Sequence, residues 1–262
     1  MNMDLAVSDF RRTFSLTGLW LHLGWADLSR RYRRTYLGPL WHTLTMAIFI
    51  GCMGVIWAAV LKVQFRDYAL HLTPSLIGWS LISSIFIEGA VLFLNARQVV
   101  LTINVPLPVL TMGLMWRLVL THLHHLLLMV ALIVFLRIEI TREMFLLVPG
   151  IALVYLNGLW MTSLIGMICL RFRDLQMIVT IGMQIAQFVT PVFWPVSFIS
   201  PNLEWVVRYN PLFHLLELIR NPLVGDAPTI ENWIWCMVML FVGSTVTFIA
   251  YAAVRNRMAY WY

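Results

Sequence analysis

The sequence predicts an all-α integral membrane protein with six transmembrane helices. Three observations lead there. Hydrophobic residues make up 61% of the 262-residue chain and charged residues only 11%, where an ordinary soluble domain carries about 25% charged residues. Residues 40–61 form an uncharged apolar run, and a helix rising about 1.5 Å per residue needs roughly 20 such residues to cross the hydrocarbon core. Arg30, Arg31, Arg33 and Arg34 stand just before that run. Such a cluster resists translocation, so the N-terminus is expected in the cytosol and the first span is expected to run outward.

Residues 1–39 contain Asp4, Asp9 and scattered arginines but no compact apolar core. They read as a cytosolic segment of the mature chain rather than a signal peptide. Within them Leu21, Trp25, Leu28, Tyr32 and Tyr36 recur at helical spacing, with the arginines on the other faces. That pattern suits a helix lying in the membrane surface, the alternative being a solvated basic linker. The second span, residues 69–93, holds one charge, Glu88; the third, 112–136, holds Arg117. The fourth (145–170), fifth (176–194) and sixth (233–254) contain no Asp, Glu, Lys or Arg. Six spans return the chain to its starting side, giving one membrane domain over 40–254 and a cytosolic tail over 255–262.

The formal charge of +6 is distributed by loop and implies no nucleic-acid partner. On this topology eleven arginines (Arg11, Arg12, Arg30, Arg31, Arg33, Arg34, Arg97, Arg171, Arg173, Arg255, Arg257) fall on the cytosolic side. Six cations (Lys62, Arg66, Arg137, Arg142, Arg208, Arg220) fall outside, and Arg117 lies within a span. The bias follows the positive-inside rule. Residues 195–232 are too apolar for an ordinary outer loop and too broken by Pro201, Pro211, Pro222 and Pro228 for a seventh span. Asn210 can cap a helix with Pro211 in its first turn, and Asn221 with Pro222 can end it. About ten residues reach only about 15 Å. Such a helix, with Leu212, Leu215, Leu216 and Ile219 opposite His214 and Glu217, can dip into the membrane or lie on it.

Few residues offer chemistry. Cys52, Cys169 and Cys236 fall in different spans at different depths and read as packing residues. Glu88 and Arg117 lie at matching depths near the cytosolic ends of spans two and three, and an unpaired charge there is costly. They are expected to form an ion pair that braces the helices; no second carboxylate is present for a proton relay. His122 and His125 share a face of span three, near His124, without a carboxylate or cysteine at that depth. Hydrogen bonding to neighbouring helices is the plainer reading than zinc or haem.

Gln184, Gln187, Phe188 and Pro191 follow at i, i+3, i+4 and i+7. Amides facing lipid are costly, so this face should look onto a watery channel, or onto helices that it hydrogen-bonds. Phe193 and Trp194 continue outward, either as an aromatic surface along the passage or as interface-belt residues. Phe49, at mid-depth of span one, is a further channel candidate; Trp41 and Trp57, at its ends, fit the belt. Arg171, Arg173 and Asp174 form a short cytosolic turn, read as a positive-inside anchor or as a contact for an ATPase or a diphosphate head group.

Enzymatic readings find little support. A GxxxxGK[ST] phosphate loop needs a lysine, and the single lysine of the chain, Lys62, is expected outside. ATP-driven work would therefore need another polypeptide docked on the cytosolic loops. A membrane transferase would need clustered carboxylates or a metal motif, yet Glu88 is the sole acidic residue in any span.

Three stretches carry a family resemblance: SRRYRRTYLGPLWHTL at 29–44, RFRDLQMIVTIGMQIAQFVTPVFWP at 171–195 and NPLFHLLELIR at 210–220. In order and spacing the chain resembles the membrane-spanning subunit of ABC-2 polysaccharide exporters. These proteins move lipid-linked O-antigen, teichoic acid or capsule chains across the bacterial inner membrane. The resemblance implies a homodimer around a central channel for a lipid-linked glycan, in contact with membrane lipid. Two separate ATPase subunits beneath would bind ATP and Mg, leaving no catalytic residue, metal or cofactor in this chain. The N-terminal amphipathic segment would be the interface helix, its arginines with Arg171 and Arg173 meeting the substrate head group at the entrance. Residues 95–110, with Arg97, Asn104 and Pro106, would hold the coupling helix. Residues 195–232 would supply short re-entrant helices gating the outer exit, and a small lipid or drug is the alternative cargo.

Overall fold

The structure is a computed structural model that describes residues 3–33, 36, 38, 40–102, 105–258, 260 and 261. Arg34 and Asn104 lie outside the described residues. Among those described, the ordered elements are all helical, and five helices are long and apolar enough to cross a membrane. They are α3 (Leu40–Leu61), α4 (Phe65–Asn95), α6 (Leu107–Leu136), α7 (Leu147–Arg171, led by a 3-10 turn at Arg142–Leu146) and α11 (Ile230–Met258). The protein is an all-α, multi-pass membrane protein.

α4 is the central helix. More than half of its apolar window is buried, against a third or less in the other spans, and α3, α6, α7, α8 (Leu175–Val189) and α10 (Pro211–Val224) all pack on it. Two helices precede the spans, α1 (Met3–Ser15) and α2 (Thr17–Tyr32), broken at Leu16. α2, expected from sequence to lie in the membrane surface, is seated on α6, where Gly24 meets Gly113 so closely that a Cβ on Gly24 would stand 2.5 Å from the Gly113 carbonyl oxygen. No side chain larger than hydrogen fits without lifting α2 away. Leu28 and Tyr32 accordingly turn inward, while Trp25 stays exposed.

The fifth apolar segment differs from its expected extent. α8 has 15 residues, about 22 Å of helix, and stops at Val189 instead of continuing to Trp194. The cause is Pro191. The residue before a proline is driven out of the helical region, and Thr190 is extended (φ −79°, ψ 136°). Residues 190–193 then fold back into the bundle, where all four are buried.

Beyond them come single 3-10 turns at Val196–Phe198 and Pro201–Leu203, the short α9 (Glu204–Arg208), and α10. The Asn210 side chain caps α10, accepting the Leu212 N–H at 3.0 Å. The helix runs through Pro222 to Gly225, whose φ of 92° ends it, one turn beyond the expected stop at Asn221. α10 is also buried all round rather than on one face: His214 and Glu217, expected opposite the apolar side, are 2% and 4% exposed. His214 is held between the Asn232 side chain and the Arg208 carbonyl, each at 2.8 Å. Glu217 pairs with Arg220, whose Nη1 donates to the Pro191 carbonyl at 2.7 Å. α10 thus ties the end of α8 to the core. At the other end of the bundle α5 (Arg97–Thr102) leads towards α6, and α11 continues past the expected boundary at residue 254.

Candidate functional site

A cavity of about 430 Å³ opens between α2, α3, α4, α6 and α8, in the half of the bundle nearer α2. Its polar lining follows from helical spacing. Ser80, Ser84 and Glu88 lie four apart on α4, and Arg117, Thr121 and His125 four apart on α6, so each trio stacks along one face. α8 adds Gln184 and Gln187, α3 adds His42, Thr45 and Phe49, and α2 adds Arg31 and Tyr32. The hydroxyls hold to their own helices, Thr121 donating to the Arg117 carbonyl at 3.0 Å and Ser80 to the Ile77 carbonyl at 2.7 Å. Their remaining lone pairs face the cavity. His125 meets Ser80 Oγ through Nδ1 at 3.1 Å, while its buried Nε2 has no protein partner. That atom is closed off from solvent, an unmet hydrogen-bonding group within the packing. The rest of the lining can hydrogen-bond a neutral, hydroxyl-rich molecule, with Tyr32, Phe49 and Trp79 offering apolar faces beside it.

The α2 end of the cavity is closed by ion pairs. Glu88 and Arg117 are joined, as their depths required: Nη1 reaches Glu88 Oε1 at 3.2 Å and Nη2 binds Oε2. Two residues of α2 extend the pair into a network. Asp27 Oδ2 forms an ion pair with Arg117, 2.8 Å from Nε, and Arg31 donates to Glu88 Oε2 at 2.7 Å. Arg117 is only 3% exposed, and a guanidinium so placed is tolerable because every donor edge meets a carboxylate. At the opposite end Phe49, which lines the cavity, borders a cluster of rings. Phe193 lies 6.4 Å from Phe49, stacks on Trp57 at 6.4 Å and approaches Phe188 at 5.4 Å.

Of the residues placed along a passage from sequence, Phe49, Gln184 and Gln187 line this cavity. Phe193 does not: the turn after α8 folds it into the core, 6% exposed, with its carbonyl accepting from Tyr68 Oη at 2.6 Å. Phe188 is 64% exposed on the outer face of α8. Trp194 donates to the Phe188 carbonyl at 3.0 Å and lines a separate apolar pocket. Arg30 pairs with Asp27 at 3.4 Å, and Arg33, Arg97 and Arg173 are exposed. Arg171 lies over the Trp261 ring at 5.6 Å. Pro106 is buried and precedes α6 as its N-cap, so within 95–110 it is Arg97 on α5 that presents a charged surface. Ser80, Ser84 and His125 were not singled out for this cavity, nor Asp27 for the ion network at its end. The polar stripe Ser80–Ser84–Glu88 within an apolar run was the available signal.

A second missed cluster joins the two ends of the chain. Asp9 of α1, 7% exposed, accepts from Tyr251 Oη at 2.7 Å and from the Arg255 guanidinium, with Nη2 at 2.9 Å. Burial alone would raise the Asp9 carboxyl, but the hydrogen bonds from Arg255 and Tyr251 and the Arg255 charge outweigh it, holding it below its ordinary 3.8. A depressed folded-state value means that the tether stabilises fully above the unfolded value and fades as pH falls through the folded one. Asp9→Asn is therefore expected to cost about 1–3 kcal/mol near neutral pH. Melting curves of variant and wild type should draw together as the pH falls well below 3.8; a gap that stays constant all the way down would show that the charge is not the cause.

Comparison with known proteins supplies the remaining observation. A family model described as ABC-2 type transporter matches residues 18–224. A protein named O-antigen export system permease protein RfbA from Klebsiella pneumoniae is 24% identical over 238 residues, covering 89% of each chain. One of the same name from Myxococcus xanthus is 25% identical over 248 residues, covering 88% of this chain and 94% of its own.

Proposed function

The chain belongs to the ABC-2 type transporter family, and from that we propose that it is the membrane-spanning subunit of an ATP-driven exporter. On this reading it works as a homodimer and moves a lipid-linked, O-antigen-like polysaccharide outward across a bacterial inner membrane, with both of its termini in the cytosol. The observation that carries the reading is the cavity itself: hydroxyls and amides within an apolar bundle, beside aromatic faces, offer a passing sugar ring both hydrogen-bond partners and stacking surfaces. The names of the relatives agree with it.

The α2 end then faces the cytosol, where Arg30, Arg31 and Arg33, with Arg171 and Arg173, meet the head group. The ring cluster around Phe193 is the outward closure, and residues 195–232 gate the exit. Lacking a phosphate-loop lysine, the chain takes its energy from two ATPase subunits that bind ATP and Mg, pressing on α2 and on α5 through Arg97. The exposed apolar side of α8, including Met177, Ile181, Ile185 and Phe188, is available to the second copy.

Replacing Gln184 and Gln187 together with leucine tests the passage. Both lie on the surface of the cavity rather than in the core, so folding and membrane insertion are expected to survive while surface glycan is lost. Normal export from the double variant would remove the cavity from the path.

A further inference from the structure

α2 separates two cavities. Opposite the one described above lies a second, of about 260 Å³, bordered by Arg30, Asn95 and Gln98. Arg31, Glu88 and Arg117 line both, so the ion network is the partition between them. Its two guanidiniums are not equivalent. Arg117 is buried and engaged through Nε, Nη1 and Nη2. The Arg31 side chain is 47% exposed, and holds the partition by one short contact to Glu88 at 2.7 Å and a longer one to Asp27 at 3.8 Å.

If Arg31 swings away, Glu88 is still paired on both oxygens by Arg117, and no charge is stranded. Changing partner therefore costs Arg31 little, whereas moving the buried Arg117 would take from Glu88 and Asp27, whose side chains are 21% and 40% exposed, the one partner they share inside the bundle. What can draw Arg31 from a carboxylate is an anion with more charge and more acceptor oxygens. Phosphate and diphosphate groups meet that requirement and match the guanidinium fork. A neutral sugar does not.

We propose that Arg31 exchanges Glu88 for the phosphate or diphosphate group of an arriving ligand, and that this exchange opens the partition between the two cavities. The proposal rests on the reading of the larger cavity as a passage and deepens it, by naming the chemistry that unlocks its entrance. Arg30, which borders the second cavity and pairs with Asp27, is the first cation such an anion meets. Because α2 stays seated on α6 through Gly24 and Gly113, the exchange releases the polar contact without unseating the helix.

The test is calorimetric titration of inorganic pyrophosphate into the full-length protein in phosphatidylcholine nanodiscs, without ATPase or glycan, so that its outcome is independent of the export reading. Arg31→Gln is expected to weaken binding by roughly tenfold or more. Glu88→Gln, which removes the competitor, is expected to tighten it severalfold; should that variant fold poorly, Asp27→Asn, which leaves the Glu88–Arg117 pair intact, is expected to shift affinity the same way. Nanodiscs of phosphatidylglycerol separate the sources of the phosphate. Weakened pyrophosphate binding in them, abolished by Arg31→Gln, assigns the site to a lipid head group; unchanged binding assigns it to a diphosphate arriving from solution. Equal affinity of wild type and Arg31→Gln, or weaker binding by Glu88→Gln and Asp27→Asn, overturns the proposal.

Discussion

Arg117→Met is expected to destabilise the protein by roughly 3–5 kcal/mol, the range for removing one partner of a buried ion pair. The side chain fits the volume, so packing is not the cause. Glu88 keeps only Arg31, and Asp27 keeps Arg30 and the longer contact to Arg31, leaving the partly buried Glu88 and the more exposed Asp27 with partners that are about half exposed or more. Glu88→Gln introduced into the same protein should restore much of the loss, because the remaining Asp27 and Arg31 balance each other. Thermal unfolding of the two single variants and the double closes the cycle. A single Arg117 variant that melts like wild type would mean that the three helices are held by apolar packing alone.

Arg220→Leu should be comparably damaging, also by roughly 3–5 kcal/mol, but at the other end of the molecule. Arg220 is 6% exposed and Glu217 4%, so the variant strands a carboxylate within α10. It also frees the Pro191 carbonyl, which fixes the turn after α8. The local consequence is distinctive: residues 190–203 should become sensitive to protease applied from that side, while the α2 end keeps its protection. Arg220→Lys keeps the charge but loses the fork that spans Glu217 and Pro191, and should fall between wild type and leucine. Uniform protease sensitivity throughout would point to global unfolding and not to release of α10.

Some of this was readable in advance, for physical reasons that differ by residue. The Glu88–Arg117 pair was legible because a lone charge in an apolar run has to find its opposite at the same depth, and few candidates existed. Asp27 was not, since in a segment crowded with arginines its partner could not be chosen without the crossing of α2 over α6. The stop of α8 was written in Thr190–Pro191, but hydropathy continues unbroken through Trp194 and masked it. α1 escaped notice because its exposed apolar stripe, Met3, Val7, Phe10 and Phe14, is interleaved with Asp4, Asp9, Arg11 and Arg12. His214 and Glu217 looked like a solvent face because polarity was taken for exposure. Their partners, Asn232, the Arg208 carbonyl and Arg220, become neighbours only after α10 turns back into the bundle.

The aromatic end of the cavity carries the same lesson for function. Phe193 was placed on a sliding surface or in the interface belt by extending α8 as a helix; with the helix ending four residues earlier, at Val189, the ring instead packs with Phe49, Trp57 and Phe188. On the export reading that closure has to part during transport, and the ties that hold its backbone, Tyr68 to the Phe193 carbonyl and Arg220 to Pro191, are where the outward path would be unlocked.

The most direct measurement is reconstitution of this chain in liposomes with a lipid-linked glycan on one face, with and without its cognate nucleotide-binding subunits. ATP-dependent appearance of the glycan on the other face, requiring the nucleotide-binding subunits and lost in the Gln184→Leu/Gln187→Leu variant, is the expected result. Conversion of a sugar donor into product by this chain alone, or glycan transfer that proceeds without the partner subunits, would contradict the account.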